Sequence, residues 1–204
     1  MPDKHKEFWQ WFADHESEFF NVDAENKMER EHLFDDMAVE LQNINPDLTF
    51  EFGPSSEKRE FVISAGGIRR AFPEVVSLTK AAPHLERWII IAFRPRRPVP
   101  EAIVLGDQQI SADTITFSLL DNGKMAGIRL FIPGYREKDS DLTQLGYLLL
   151  DNMLGEYDVE TRLGLIEMLP SNSKISGDRY PISQLPGLFD NLVTRLEGRT
   201  RKPS

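Results

Sequence analysis

Three carboxylates follow a glycine in the run Gly155-Glu156-Tyr157-Asp158-Val159-Glu160, and Asp151 lies one helical turn upstream. Such a cluster could carry general acid–base chemistry if an apolar pocket lifted the pKa of at least one carboxyl. The residues before it argue for a different reading. Leu142, Leu145, Leu149 and Met153 share one helix face, while Tyr147, Leu148, Leu150 and Leu154 cover most of the rest. A helix that is apolar nearly all round is buried, and Gly155 is suited to stopping it. If Tyr157 and Val159 then point to the core, a period of two places Glu156, Asp158 and Glu160 on the wet face. The expectation is a helix stop followed by a solvated acidic strip. Asp151 lies either on a narrow polar stripe with Gln144 and Asn152, or buried and paired, since an unpaired buried carboxylate is costly.

The second candidate is cationic. Arg94, Arg96 and Arg97 follow the apolar run Trp88–Phe93. Guanidinium forks suit carboxylates and phosphates; the competing reading is a solubilising loop whose charges block a sheet edge. Arg94 and Arg96 with Asp151, Glu156, Tyr157 and Asp158 make up the candidate ligand-binding set, for an anionic molecule in a cleft between the two halves of the chain.

Other chemistries find little support. His5, His15, His32 and His84 include no pair at ligand spacing, and there is no cysteine, so neither a metal site nor thiolate chemistry is expected. Asp139 and Asp141 read as helix caps rather than a calcium loop. There is no GxGxxG, Walker loop or GxSxG elbow. Gly66-Gly67 reads as a turn requiring positive φ, and no spacing joins Ser64 to His84. No cofactor is expected.

The formal net charge is −9, whereas binding to a nucleic acid needs a basic face. The short basic stretches at 94–97 and 199–202 carry no interleaved stacking aromatics, so nucleic acid is an unlikely partner. The N-terminal MPDKHKEFWQWF is too polar for a signal peptide, and no apolar run is long enough to span a bilayer; neither membrane insertion nor export is expected, and the location expected is cytoplasmic. The chain is long enough to build a core without staples.

The spacing predicts helices over 5–20 and 24–44, the first with an aromatic face and the second with Leu33, Met37, Leu41 and Ile44 inward. Strands are expected at 48–52 and 60–64, then a helix from Pro73 to about Ala82. Trp88–Phe93 has the continuous apolar pattern of a central strand buried on both faces. Ala102–Leu105 reads as a short edge strand. Strands at 114–120 and 127–132 flank an Asn-Gly hairpin turn. A helix from 139 to 154, a strand at 161–169 and a helix at 182–196 complete the chain. The first two strands of each half align at an offset of 67 residues, the third some seven further, which suggests a pseudo-repeat over 47–94 and 114–169. The segments FWQWF, REFVISAGG, WIIIAFRPR and LLLDNMLGEYDVE together resemble a family of bacterial cytosolic α+β proteins, over about residues 7–190. The resemblance implies that fold class and assigns no activity, cofactor or catalytic residue.

The expected fold is therefore α+β: two ββαβ units forming a mixed or antiparallel sheet flanked by N- and C-terminal helices, in one domain over 1–198, with a disordered basic tail at 199–204. The function expected is a non-enzymatic protein-binding or regulatory factor of the immunity type, its acidic surface meeting a basic partner. The alternative is an enzyme or small-molecule binder using the anion-recognising cleft. A homodimer through the aromatic N-terminal helix is a third reading, although most of those rings are expected in the core.

Overall fold

The computed structural model describes residues 3–22, 27–105, 108–137 and 139–200. The chain is an α+β protein whose contacts divide it into two compact units, 1–94 and 95–204, each with its own sheet and apolar core.

The first unit opens with α1 (Lys4–Asn21) and α2 (Lys27–Ile44). Asp3 caps α1 by accepting from the His5 N–H. Phe8, Trp9, Phe12 and Phe19 fall on one face of α1 and are all buried, so these rings form core, as expected. Phe12 stacks on Phe61 and meets Trp88 edge-on. The Trp9 indole N–H donates to the Leu78 carbonyl at 2.8 Å, satisfying the one polar atom that burial would otherwise orphan. Strands β1 (Thr49–Phe52) and β2 (Arg59–Ser64) pair antiparallel, α3 (Phe72–Lys80) crosses over, and β3 (Trp88–Ala92) joins β2 in parallel. Arg59 is a buried cation. It donates to the Phe19 and Phe20 carbonyls at the end of α1 and to the Gly53 carbonyl, so it closes the helix terminus onto the sheet.

The strand order β1-β2-β3 corrects one expectation. β3 is an edge strand and not a central one: β2 is the strand flanked on both sides, and Ile89 of β3 is 44% exposed. An apolar run cannot say whether it has one neighbour or two. β3 is followed by Phe93, which takes φ 67 while its ring packs on Phe72 at 4.5 Å. This is uncommon for a bulky residue, and it bends the chain away at the end of the ladder.

The second unit starts with a hairpin of β4 (Ala102–Leu105) and β5 (Gln108–Ser111). β6 (Thr116–Asp121) and β7 (Ala126–Ile132) pair antiparallel. Helices α4 (Ser140–Leu154) and α5 (Glu156–Arg162) cross over to β8 (Leu163–Pro170), parallel to β7. The two-residue β9 (Tyr180–Pro181) adds to the far side of β6, and α6 (Leu185–Thr200) closes the unit, giving the order β8-β7-β6-β9. α4 approaches β8 closely, since a Cβ on Gly146 would lie 2.6 Å from the Met168 sulfur. Arg199 and Thr200, expected in a disordered tail, continue α6, and Arg199 bonds Asp121; residues 201–204 lie outside the described part.

The offset of 67 extends to hydrogen-bond register. Thr49 faces Ser64 and Thr116 faces Phe131 (116 − 49 and 131 − 64 are both 67), and the next three pairs of each hairpin keep step. The turn after the second strand repeats too, with Ile68 N–H donating to Ala65 and Tyr135 N–H to Ile132. The third strand sits at 76 (Ile90 with Phe61, Ile166 with Ile128; 166 − 90), nine further and not seven, because two helices fill the second crossover.

The largest correction concerns residues 156–162. They form a helix, not an extended strip. Gly155 takes φ 81 and ψ 142, which ends α4 and re-aims the chain so that α5 starts at once. The period becomes 3.6, so Glu156 and Val159 turn inward, at 0% and 1% exposure, while Tyr157 is 49% exposed. Glu156 and Asp158 occupy the first turn and Arg162 the last, each complementing the helix dipole. Gly155→Ala should destabilise the second unit by roughly 1–3 kcal/mol, because that region of φ and ψ is open almost only to glycine. Urea unfolding checks this; Gly123→Ala, at a positive φ in an exposed turn, serves as the comparison for the cost of positive φ alone.

Candidate functional site

Of the residues singled out from sequence, Arg94, Arg96 and Asp158 are drawn into structural ion pairs. Arg94 ends the first unit and bonds Glu51 there. Arg96 belongs to the second unit. Its Nε donates to the Leu154 carbonyl at 2.8 Å, Nη1 to Asp190 at 2.9 Å, and Nη2 to Asp158 at 2.6 Å. Asp158 also accepts from Arg162 at 2.7 Å, and Arg162 reaches Glu197. The Arg97 N–H donates to the Asn152 carbonyl at 2.6 Å. One guanidinium thus ties the segment leading into the unit to the end of α4, to α5 and to α6. Asp190 foremost, and Asp158 with it, hold the Arg96 guanidinium above its ordinary pKa against the opposing effect of desolvation. A cation bracketed by two carboxylates has little charge left for an anionic ligand, which weighs against anion capture at Arg96. Asp151 lies half-buried on α4, and its carbonyl accepts the Gly155 N–H at 2.9 Å. The Glu156 carboxyl is buried in the first turn of α5.

A different place in the second unit is open to a partner. β7 pairs with β6 along all of Thr116–Asp121, but on its other side β9 meets only Thr116 and Phe117. The Ile115 carbonyl accepts the Ile182 N–H, so it points to the β9 side. Backbone groups of alternate strand residues share a side. Those of Phe117, Leu119 and Asp121 therefore point the same way, and among the described residues no strand faces Leu119 or Asp121 there. A groove of about 320 Å³ runs along this edge. Its walls are Ser118–Asp121 and Arg129 from the sheet, Ser176–Asp178 and Tyr180 from the segment before β9 and its first residue, and Leu188, Asn191, Leu192 and Arg195 from α6.

The groove has distinct ends. Tyr180 closes one. At the other, Asp121 accepts from the Gly123 N–H at 3.0 Å, from Arg199 at 2.9 Å and from Arg195 at 3.3 Å. The Gly123 hydrogen bond, with help from Arg199 and then Arg195, outweighs desolvation and holds the Asp121 carboxyl below its usual value. Arg129 faces Ser118 across the ladder and Glu167 on the other side, and its Nε donates to Glu167 at 2.5 Å. Among the described residues its terminal nitrogens have no partner.

Sequence reasoning missed this site because its walls come from segments far apart in the chain. Arg129 was the one available signal: a lone cation in the apolar strand Gly-Ile-Arg-Leu-Phe-Ile. Among the described residues no cluster of three histidine, aspartate or glutamate side chains could hold a metal, and no helix is long and apolar enough to cross a membrane.

Arg96→Gln should lower the stability of the second unit by about 1–2 kcal/mol, since it breaks charge-assisted bonds from one fork; chemical unfolding measures it. Asp121 gives a pH signature. Its folded pKa lies below the unfolded value near 3.8, so its contribution is complete above 3.8 and is lost as pH falls toward the folded value. Asp121→Asn should flatten the acid limb of a melting-temperature profile below that pH.

No family profile matches the chain, and no curated protein or solved structure is significantly similar to it.

Proposed function

We propose that this is a non-enzymatic protein-binding factor, regulatory or of the immunity type, and that the second unit receives its partner by strand addition at the open edge of β6. The observation that carries the reading is the mismatch in pairing: six residues of β6 have partners on β7, and only two on β9. The N–H and C=O groups of Leu119 and Asp121 offer an extended segment the main-chain bonds that a further strand would supply. The groove is walled on both faces of the sheet, so alternate side chains of an added strand each find a surface: Leu188 and Leu192 of α6 on one side, Ser118 and Arg129 on the other. Main-chain bonds supply affinity and these two walls supply selectivity. In this reading the −9 charge favours basic partners in the encounter, and the edge decides the docking.

The test is selection from a displayed octapeptide library on the wild-type protein, followed by measurement of the enriched peptides on Asn191→Trp. Asn191 is exposed, and an indole there fills the groove without touching the core. Binding should weaken roughly tenfold or more, and the Leu119 and Asp121 amides should exchange more slowly when peptide is bound. Enriched peptides that bind both proteins equally, and leave those amides unprotected, would remove the β6 edge as the docking surface.

A further inference from the structure

Resting on the strand-addition reading, we propose that the groove takes the free C-terminal end of a partner polypeptide, with its terminal carboxylate held by Arg129. Direction comes first. β9 runs antiparallel to β6, with Tyr180 opposite Phe117 and Pro181 opposite Thr116. A strand added to β6 in the same sense lies in line with β9 and upstream of it. Its N-terminal end lies at Asp121, and its C-terminal end runs into Tyr180. The edge is free at one end and occupied at the other, so the added chain must either turn out of the groove at Tyr180 or stop there. A chain terminus stops without needing an exit.

Charge then selects the same end. Ser118 lies at the closed end, is 8% exposed, and stands directly opposite Arg129 in the ladder. Its side chain is short, so the guanidinium two strands away can reach over it to a group on the added strand. Arg129 spends Nε on Glu167, while its terminal nitrogens remain as a fork suited to a carboxylate. The other charges on the walls do not cancel this. Asp178 is exposed to solvent and lies 3.4 Å from the Tyr180 hydroxyl. Asp121 is at the far end, bonded to Arg195 and Arg199. A strand laid in the parallel sense would bring a cationic N-terminus, or an unterminated chain, against the same arginine. Leu188 and Leu192 on the α6 wall favour an apolar side chain at an alternate position near the terminus.

The experiment uses octapeptides displayed with free C-termini. The best binder is synthesised as free acid and as C-terminal amide, and both are titrated against the full chain, Arg129→Gln and Glu167→Gln. The acid should bind the wild type roughly tenfold more tightly than the amide. Arg129→Gln should bring the acid down to the amide's affinity, while Glu167→Gln, which removes the competing carboxylate, should tighten the acid form. The second variant keeps the test decisive if Arg129→Gln folds poorly. Equal affinity of acid and amide, or a preference that survives in Arg129→Gln, overturns C-terminal recognition; if Asn191→Trp still blocks both peptides, strand addition stands and the occupant is an internal segment. A library that yields no groove-dependent binder overturns both.

Discussion

The larger sheet of each unit is organised by a central strand that pairs antiparallel on one side and parallel on the other. β2 holds β1 and β3 in this way, and β7 holds β6 and β8. The antiparallel partner needs only a hairpin, whereas the parallel one needs a crossover long enough to return the chain to the same end. That requirement places α3 in the first unit and α4 with α5 in the second. It also fixes which strands are left at the edges. In the second unit the edge at β6 is covered by β9 over only Thr116 and Phe117, and the groove is what remains where β9 stops.

The crossover of the second unit shows how one backbone position can redirect a run of side chains. Gly155 separates α4 from α5 without an intervening loop, because its φ and ψ lie where other residues rarely go. The acids that follow are thereby placed on a helix, where Asp158 turns to Arg96 and Arg162 and Glu156 turns inward. Of that string of acids, Asp158 becomes part of a clamp between α5, α6 and the segment at Arg96. The −9 chain uses its arginines in the same manner elsewhere, with Arg70 on Asp47 and Arg87 on Glu16.

The antiparallel hairpins of the two units share one register. Thr49-Phe50 and Thr116-Phe117 start equivalent strands, and Gly67 and Gly134 take positive φ in equivalent turns. The cores differ: the first is filled by aromatic rings from α1 with Phe61 of β2 and Trp88 of β3, the second by leucines and isoleucines of α4, β7 and α6. A common pairing pattern with different fillings is what backbone hydrogen bonding allows, since register depends on the alternation of faces and not on which apolar side chain occupies the core side.

Much of the fold was legible in the chain. Turn residues and hydrophobic periods placed the helices expected at 139–154 and 182–196, found at Ser140–Leu154 and Leu185–Thr200, the hairpin at Asn122-Gly123 and the offset of 67, because each rests on contacts between residues near in sequence. The strand at Ala102–Leu105 was legible too, but its partner Gln108–Ser111 was not, and the two-residue β9 is too short to leave a period. Whether the apolar run at Trp88 is central or edge, and whether Glu156 faces water or core, were decided by tertiary structure. The groove at β6 belongs wholly to that second class. It is formed by backbone groups that lack a neighbour, and by Arg129, Tyr180 and α6 arriving from distant positions. A sequence encodes which groups each residue carries, while the presence or absence of a neighbour across space is a property of the folded chain alone.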